Sequence, residues 1–129
     1  MKREIIVNMP ENGYISWFVT TQNALPTKVA LYDANNKEIF TAVKKNSLDT
    51  SIDPPLALGS CSISNGQLKL VIEVNSSYCP ALKGKPVLFE ITDEKGNLVG
   101  KSFTIAVEDY TDNDYNDIYV NIVGWMKKG

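Results

Sequence analysis

Glu108-Asp109-Tyr110-Thr111-Asp112-Asn113-Asp114-Tyr115-Asn116-Asp117 carries five acidic residues, two asparagines and no base. On its N-terminal side, residues 102–107 alternate polar and apolar, and residues 118–123 do the same on its C-terminal side, with Ile118, Val120 and Ile122 on one face. Period-two alternation is the mark of a half-buried strand, so this acidic loop joins two strands. Two carboxylates about 4 Å apart repel by roughly 4 kcal/mol at an effective dielectric of about 20, so crowding them in a compact loop calls for a counter-charge. Hard oxygen ligands at close spacing select calcium, which takes six to eight of them. The alternation of Asp112, Asp114 and Asn116 is that of the first half of an EF-hand loop. The remainder is not: the sixth position is Asp117 where that loop needs Gly, and the twelfth is Val123 where it needs Glu.

The rest of the chain has the same period. Ile5, Val7 and Met9 alternate ahead of a turn at residues 10–13, and Ile15, Trp17 and Val19 share a face of the next strand, which breaks at residues 21–26. Val29 and Leu31 follow, then a hairpin turn at residues 33–37 and a return strand over 38–43. Residues 44–60, with Asp53-Pro54-Pro55, are expected to be an irregular connection. Asn65-Gly66 is a strong hairpin signal, and Leu68, Leu70, Ile72 and Val74 form the clearest amphipathic strand. A loop over 76–84, a strand over 87–92, a turn over 93–96 and a strand over 98–107 lead back to the acidic loop. The expectation is an all-β chain, an antiparallel β-sandwich of about nine short strands in a single domain over residues 1–129. Trp17 and Trp125 sit in alternating patterns and read as core or interface residues, not as sugar-stacking platforms.

Composition narrows the function. The chain has 129 residues, 43% hydrophobic and 22% charged, enough for one real core. A net charge of −2 leaves no basic footprint, so no nucleic-acid partner is expected. No apolar run approaches the ~20 residues of a membrane span, so no membrane insertion is expected. The N-terminus lacks the apolar core of a signal peptide, so synthesis in the cytoplasm is expected, with any export by a non-classical route to the cell surface. Histidine is absent, which removes the Ser-His-Asp arrangement and most zinc chemistry. Cys61 and Cys79 are expected as buried free thiols, a pairing being open only if the strands bring them together in an oxidising compartment.

Residues 111–117, preceded by Glu108-Asp109 and followed by a short strand, Trp125 and Gly129, resemble the calcium-mediated bacterial lectins of the two-calcium, fucose/mannose-binding type. The close match covers about the last twenty residues; elsewhere only strand order, Pro10, Asn65-Gly66 and length agree. The resemblance implies two adjacent calcium ions held by Glu108, Asp112, Asp114, Asn116 and Asp117. It also implies a backbone carbonyl ligand from the loop after the second strand, which is Asn23 or, keeping strand parity better, Gln22. The α-carboxylate of Gly129 would come from a partner subunit, making the protein a homodimer or tetramer. Sugar hydroxyls would bind both ions directly, sharing Asn23, Asp112, Asp114, Asn116, Asp117 and Gly129 with the metal. Asp109 matches a position that hydrogen-bonds the sugar, and Ala24-Leu25-Pro26 a selectivity triplet, so Ala24 and Leu25 are sugar-facing candidates. Five carboxylates against two dications would leave the filled site nearly neutral and the empty one strongly repulsive. The chain departs from the family pattern at Tyr110, where a small residue is usual, at Leu25, and in a tail two residues longer carrying Lys127-Lys128.

The expected function is a non-enzymatic, calcium-dependent lectin whose partners are fucose- or mannose-type glycans. The alternative is a calcium-stabilised β-sandwich for adhesion or lipid binding without sugar specificity. A two-carboxylate glycosidase is the weakest of the three readings, since carboxylates neutralised by calcium stay ionised and donate protons poorly.

Overall fold

The computed structural model describes residues 1–44 and 53–127. Nine strands follow in order: β1 (Lys2–Asn8), β2 (Tyr14–Thr21), β3 (Thr27–Tyr32), β4 (Glu38–Lys44), β5 (Asp53–Ser62), β6 (Gln67–Val74), β7 (Val87–Thr92), β8 (Leu98–Val107) and β9 (Ile118–Trp125). They build two antiparallel sheets, ordered β1-β6-β3-β4 and β5-β2-β9-β8-β7. This is the expected all-β sandwich, and alternation explains its core. Ile15, Trp17 and Val19 of β2, Phe103, Ile105 and Val107 of β8, and Ile118, Val120 and Ile122 of β9 point inward from one sheet. Val29 and Leu31 of β3 and Leu68, Leu70, Ile72 and Val74 of β6 face them from the other. Each such side chain contributes about 1.5–3 kcal/mol on burial. Trp17 of β2 stacks on Phe40 of β4, ring centroids 4.9 Å apart and 13° from coplanar, which ties the sheets together.

Two turns are true hairpins and share one device. Asp33 Oδ1 accepts the amides of Asn35 and Lys37 between β3 and β4, with Asn36 at φ 61°. Asp93 Oδ1 accepts those of Lys95 and Asn97 between β7 and β8, with Gly96 at φ 83°. In each, a short aspartate closes the turn and a residue tolerant of the left-handed region completes it.

Asn65-Gly66 does not make a hairpin. It connects β5 in the five-stranded sheet to β6 in the four-stranded one, and neither residue takes the positive φ that a tight hairpin needs. Gly66 is required for another reason: a Cβ there would lie 1.8 Å from the Met9 carbonyl oxygen. The expected irregular connection over 44–60 is also corrected from residue 53 onward. β5 pairs with β2, Ile15 opposite Cys61 and Thr21 opposite Asp53, with a register shift between Val19 and Thr21. Its two prolines are tolerated because β5 is an edge strand and they fall inside the register shift, between the pairs Val19–Ala57 and Thr21–Asp53, where the ladder is interrupted. Residues 45–52 of that connection lie outside the described residues. Trp125 ends β9 exposed and is not a core residue. Cys79 is buried and Cys61 half-buried, both as free thiols.

The register decides where the loops meet. Thr21 at the end of β2 pairs with Ile118 at the start of β9, which pairs with Val107 at the end of β8. Thr27 at the start of β3 pairs with Lys44 and Val74, the ends of β4 and β6. The β2–β3, β6–β7 and β8–β9 loops therefore gather at one end of the sandwich.

Candidate functional site

The β8–β9 loop is wound around Glu108. Its backbone bridges Lys83 in both directions, Lys83 N–H to the Glu108 carbonyl at 3.0 Å and Glu108 N–H to the Lys83 carbonyl at 2.8 Å. The Glu108 side chain is fully buried. Its two oxygens accept the amides of Tyr110 (3.0 Å) and Tyr115 (3.2 Å), so one carboxylate gathers the loop from both sides. Asn113 and Tyr115 take φ of 58° and 55° to allow this winding. Asn visits that region readily; a tyrosine there is strained and is held by the amide bond to Glu108. Asp117 Oδ2 accepts the Asp109 amide at 3.0 Å and closes the loop.

The result is a cluster. One carboxylate oxygen each from Glu108, Asp112, Asp114 and Asp117 lies within 4.8 Å of the others. Glu108 and Asp117 are buried and Asp112 and Asp114 exposed, so the cluster has a protein floor and an open top. Among the described residues no lysine or arginine pairs with any of the four; the ion pair that does form joins Lys2 to Glu4. Burying such charges without a partner is expensive, and the protonation equilibria register it. Burial, then the hydrogen bond shared with Glu108, pushes Asp117 up to about 8. Burial acts the same way on Glu108, but the hydrogen bond from Asp117 and the amide of Tyr115 outweigh it and hold that carboxyl at about 2. Asp112 is raised by its hydrogen bond to Glu108. In the absence of a cation, the pair Glu108–Asp117 keeps one proton between two carboxylates.

The β2–β3 loop forms the facing wall. Asn23 is buried and donates its side-chain amide to Asp109 Oδ2 (2.8 Å) and to Thr27 Oγ1. Its own Oδ1, also buried, has no hydrogen-bond partner among the described residues. The ammonium of Lys44, a buried lysine at the end of β4, donates to the Asn23 backbone carbonyl. Between the two loops lies a cleft of about 590 Å³, lined by the cluster's Asp112, Asp114 and Asp117, by Asp109 and Asn116, by Gln22, Asn23, Ala24 and Leu25, and by Tyr78 and Tyr110.

The structure thus brings together every expected site residue it describes: Glu108, Asp112, Asp114 and Asp117 in the cluster, and Asp109, Asn116, Asn23, Ala24 and Leu25 along the same cleft. Gly129 lies outside the described residues. Two neighbours were not anticipated. Lys44 is legible in retrospect, since Phe40, Ala42 and Lys44 share the inward face of β4 and a lysine at an inward position requires a buried acceptor. Tyr78 has no such signal, because only the path of the β6–β7 loop carries it to the cleft.

No family model matches the chain, and no curated protein matches it. Solved structures do. The chain is similar to the C-terminal domain of a lectin from Burkholderia cenocepacia, with a TM-score of 0.66 and 21% identity over 97% of each chain. It is similar to a high-affinity mannose-binding lectin of Ralstonia solanacearum, with a TM-score of 0.65 and 18% identity over 92% of this chain and 93% of that one. A Chromobacterium violaceum lectin in complex with α-methyl-fucoside matches at a TM-score of 0.64 and 17% identity, again over 92% and 93%. The chain has the fold of these bacterial lectins.

Proposed function

We propose that the protein is a calcium-dependent, sugar-binding lectin without catalytic activity. The observation that carries this reading is the cluster of four carboxylates, two of them buried, with no cationic side chain among the described residues paired to them, beside an open cleft that three of them line. The donor set is all hard oxygen, and the unpartnered Asn23 Oδ1 adds another at the wall; this is calcium chemistry. Glu108, Asp112, Asp114, Asn116 and Asp117 would hold two ions, with the Asn23 carbonyl as a further ligand. Such ions would supply Lewis-acidic centres able to take vicinal hydroxyls of a fucose or mannose ring. Asp109, held by the Asn23 side chain, would accept a sugar hydroxyl. Likeness in fold to lectins whose names record mannose binding or a bound fucoside supports the choice of ligand class.

If the α-carboxylate of Gly129 completes the site, it is that of a partner subunit. β9 starts at the cluster and runs away from it for eight residues, about 25 Å at the usual strand rise. The four residues after Trp125 reach at most about 14 Å, too little to return. The assembly is then at least a dimer.

Calorimetric titration with methyl α-fucoside and methyl α-mannoside, in calcium and again in a chelator, tests the function. Binding in calcium alone is expected. A calcium-stabilised protein that takes neither sugar would instead be an adhesion or lipid-binding module.

A further inference from the structure

The cleft of about 590 Å³ has two exposed aromatic side chains in its lining. Tyr110 and Tyr78 both line it, and they are 51% and 72% exposed. They arrive from different loops. Tyr110 follows the buried Asp109 directly, and its amide is fixed on Glu108. Tyr78 belongs to the β6–β7 loop, which is tethered at several points. Asn75 N–H bonds the Pro26 carbonyl at 3.1 Å, Lys83 bridges Glu108, and Arg3 donates to the carbonyls of Leu82 and Gly84 at 3.2 and 2.8 Å. Cys79 and Leu82 are buried just beyond Tyr78, and its own amide is held by Ser76 Oγ at 3.1 Å. An exposed tyrosine on so anchored a loop loses little further backbone freedom on contact, which is the economy that makes tyrosine a frequent contact residue.

Resting on the lectin reading, we propose that Tyr78 and Tyr110 form a second subsite, which takes the sugar residue next to the one on the metal. An aromatic face offers a pyranose what the carboxylate cluster cannot: a flat apolar surface for the C–H face of the ring, while the hydroxyls stay in water. The protein therefore distinguishes a disaccharide from a monosaccharide through these two rings, and the ligand class it selects is an oligosaccharide with a fucose or mannose terminus. Asp112 and Asp114 line the same cleft and keep it polar, so a purely apolar aglycone satisfies it less well than a sugar.

The test compares methyl α-mannoside with a mannose disaccharide, and methyl α-fucoside with fucosyl-galactose, by calorimetry at saturating calcium. The wild type is expected to prefer a disaccharide over its monosaccharide by about fivefold to tenfold, the size of one good aromatic contact. Tyr78→Ala and Tyr110→Ala should each reduce that ratio towards one, with monosaccharide affinity and the calcium-induced rise in melting temperature unchanged. Tyr78→Phe and Tyr110→Phe should keep the ratio, since the ring face and not the hydroxyl makes the contact. Monosaccharide binding with no disaccharide preference, or a preference that survives both alanine variants, overturns the subsite and leaves the lectin reading standing. A wild type that binds no sugar overturns both. An equal gain from p-nitrophenyl glycosides would replace the sugar subsite by a general aromatic one and overturn the proposal.

Discussion

Asn23 donates its side-chain amide to the Asp109 carboxylate at 2.8 Å, a buried bond between residues 86 positions apart. It joins the two walls of the cleft, one contributing the acidic loop and the other the loop that would choose among sugars. Replacing Asn23 by Ala leaves Asp109 buried without that donor. A stability loss of about 1–3 kcal/mol is expected, read from the midpoint of urea unfolding in chelator, together with a fall in sugar affinity. An unchanged midpoint would mean that the two loops are positioned independently.

Lys44 presents its ammonium to the same carbonyl that Asn23 would offer calcium. A positive charge beside a dication site weakens it by about 1–3 kcal/mol at effective dielectrics between protein surface and water. Lys44→Met keeps the length and apolar stem of the side chain and removes the charge, so calcium affinity should rise by about tenfold. Calorimetric titration of calcium into metal-free protein reads this directly. A loss of affinity would instead show that Lys44 serves to hold the carbonyl in its ligating position.

The carboxylate cluster is costly to fold without a counter-charge, and a bound cation would supply one. Asp117→Asn replaces the buried carboxyl that holds the shared proton by a neutral side chain of the same shape, which cannot ionise to bind a cation. The metal-free variant should melt no lower than the wild type, while the rise in melting temperature expected of the wild type in calcium by mass action should be absent. Melting curves of both proteins in chelator and in millimolar calcium decide it. A full calcium response in the variant would remove Asp117 from the ligand set.

The same residues set a pH dependence of opposite sign in the two states. Asp117 rises from its ordinary 3.8 to about 8. Between those values the metal-free fold holds a proton that the unfolded chain has released, so stability is fully present below pH 3.8 and is lost as pH rises towards 8. Glu108, held at about 2 against an ordinary 4.5, contributes stability above 4.5 that is lost as pH falls through 2. Metal-free protein should therefore melt higher near pH 5 than near pH 8. Calcium must displace the shared proton, so its affinity should weaken by up to about tenfold per pH unit below 8. Calcium titrations in two buffers of different ionisation enthalpy should reveal one proton released per site at pH 6–7; none released, with flat metal-free stability, would contradict the shared proton.

Leu25 lines the cleft and packs partly on the core. An apolar contact favours the methyl group of a 6-deoxy sugar over a hydroxymethyl by roughly 1 kcal/mol, so fucose is expected to bind better than mannose. Leu25→Ser should narrow or reverse that ratio and leave calcium affinity unchanged. If calorimetry at saturating calcium returns the same ratio for both proteins, Leu25 does not meet the sugar.

Much of this protein is determined by local pattern. Period-two alternation specifies β2, β6, β8 and β9 and their inward faces, because one face of a strand must be apolar wherever a core exists. The acid density of residues 108–117 calls for a counter-charge, because like charges at that spacing repel wherever they fold. What the pattern leaves open is which strand lies beside which. Asn65-Gly66 has the composition of a hairpin, yet it serves a passage between sheets, since the demand on Gly66 comes from the Met9 carbonyl 57 positions away and not from its own turn. Asp53-Pro54-Pro55 discourages a strand locally, but an edge position and a register shift beside β2 accommodate the missing amides. The cleft itself is a product of register. Pairing Thr21 with Ile118 and Thr27 with Lys44 brings Asn23, Lys44, Tyr78 and the acidic loop to one end of the sandwich, and no residue among them encodes that meeting alone, because contacts at such sequence separations exist only once the sheets have chosen their order.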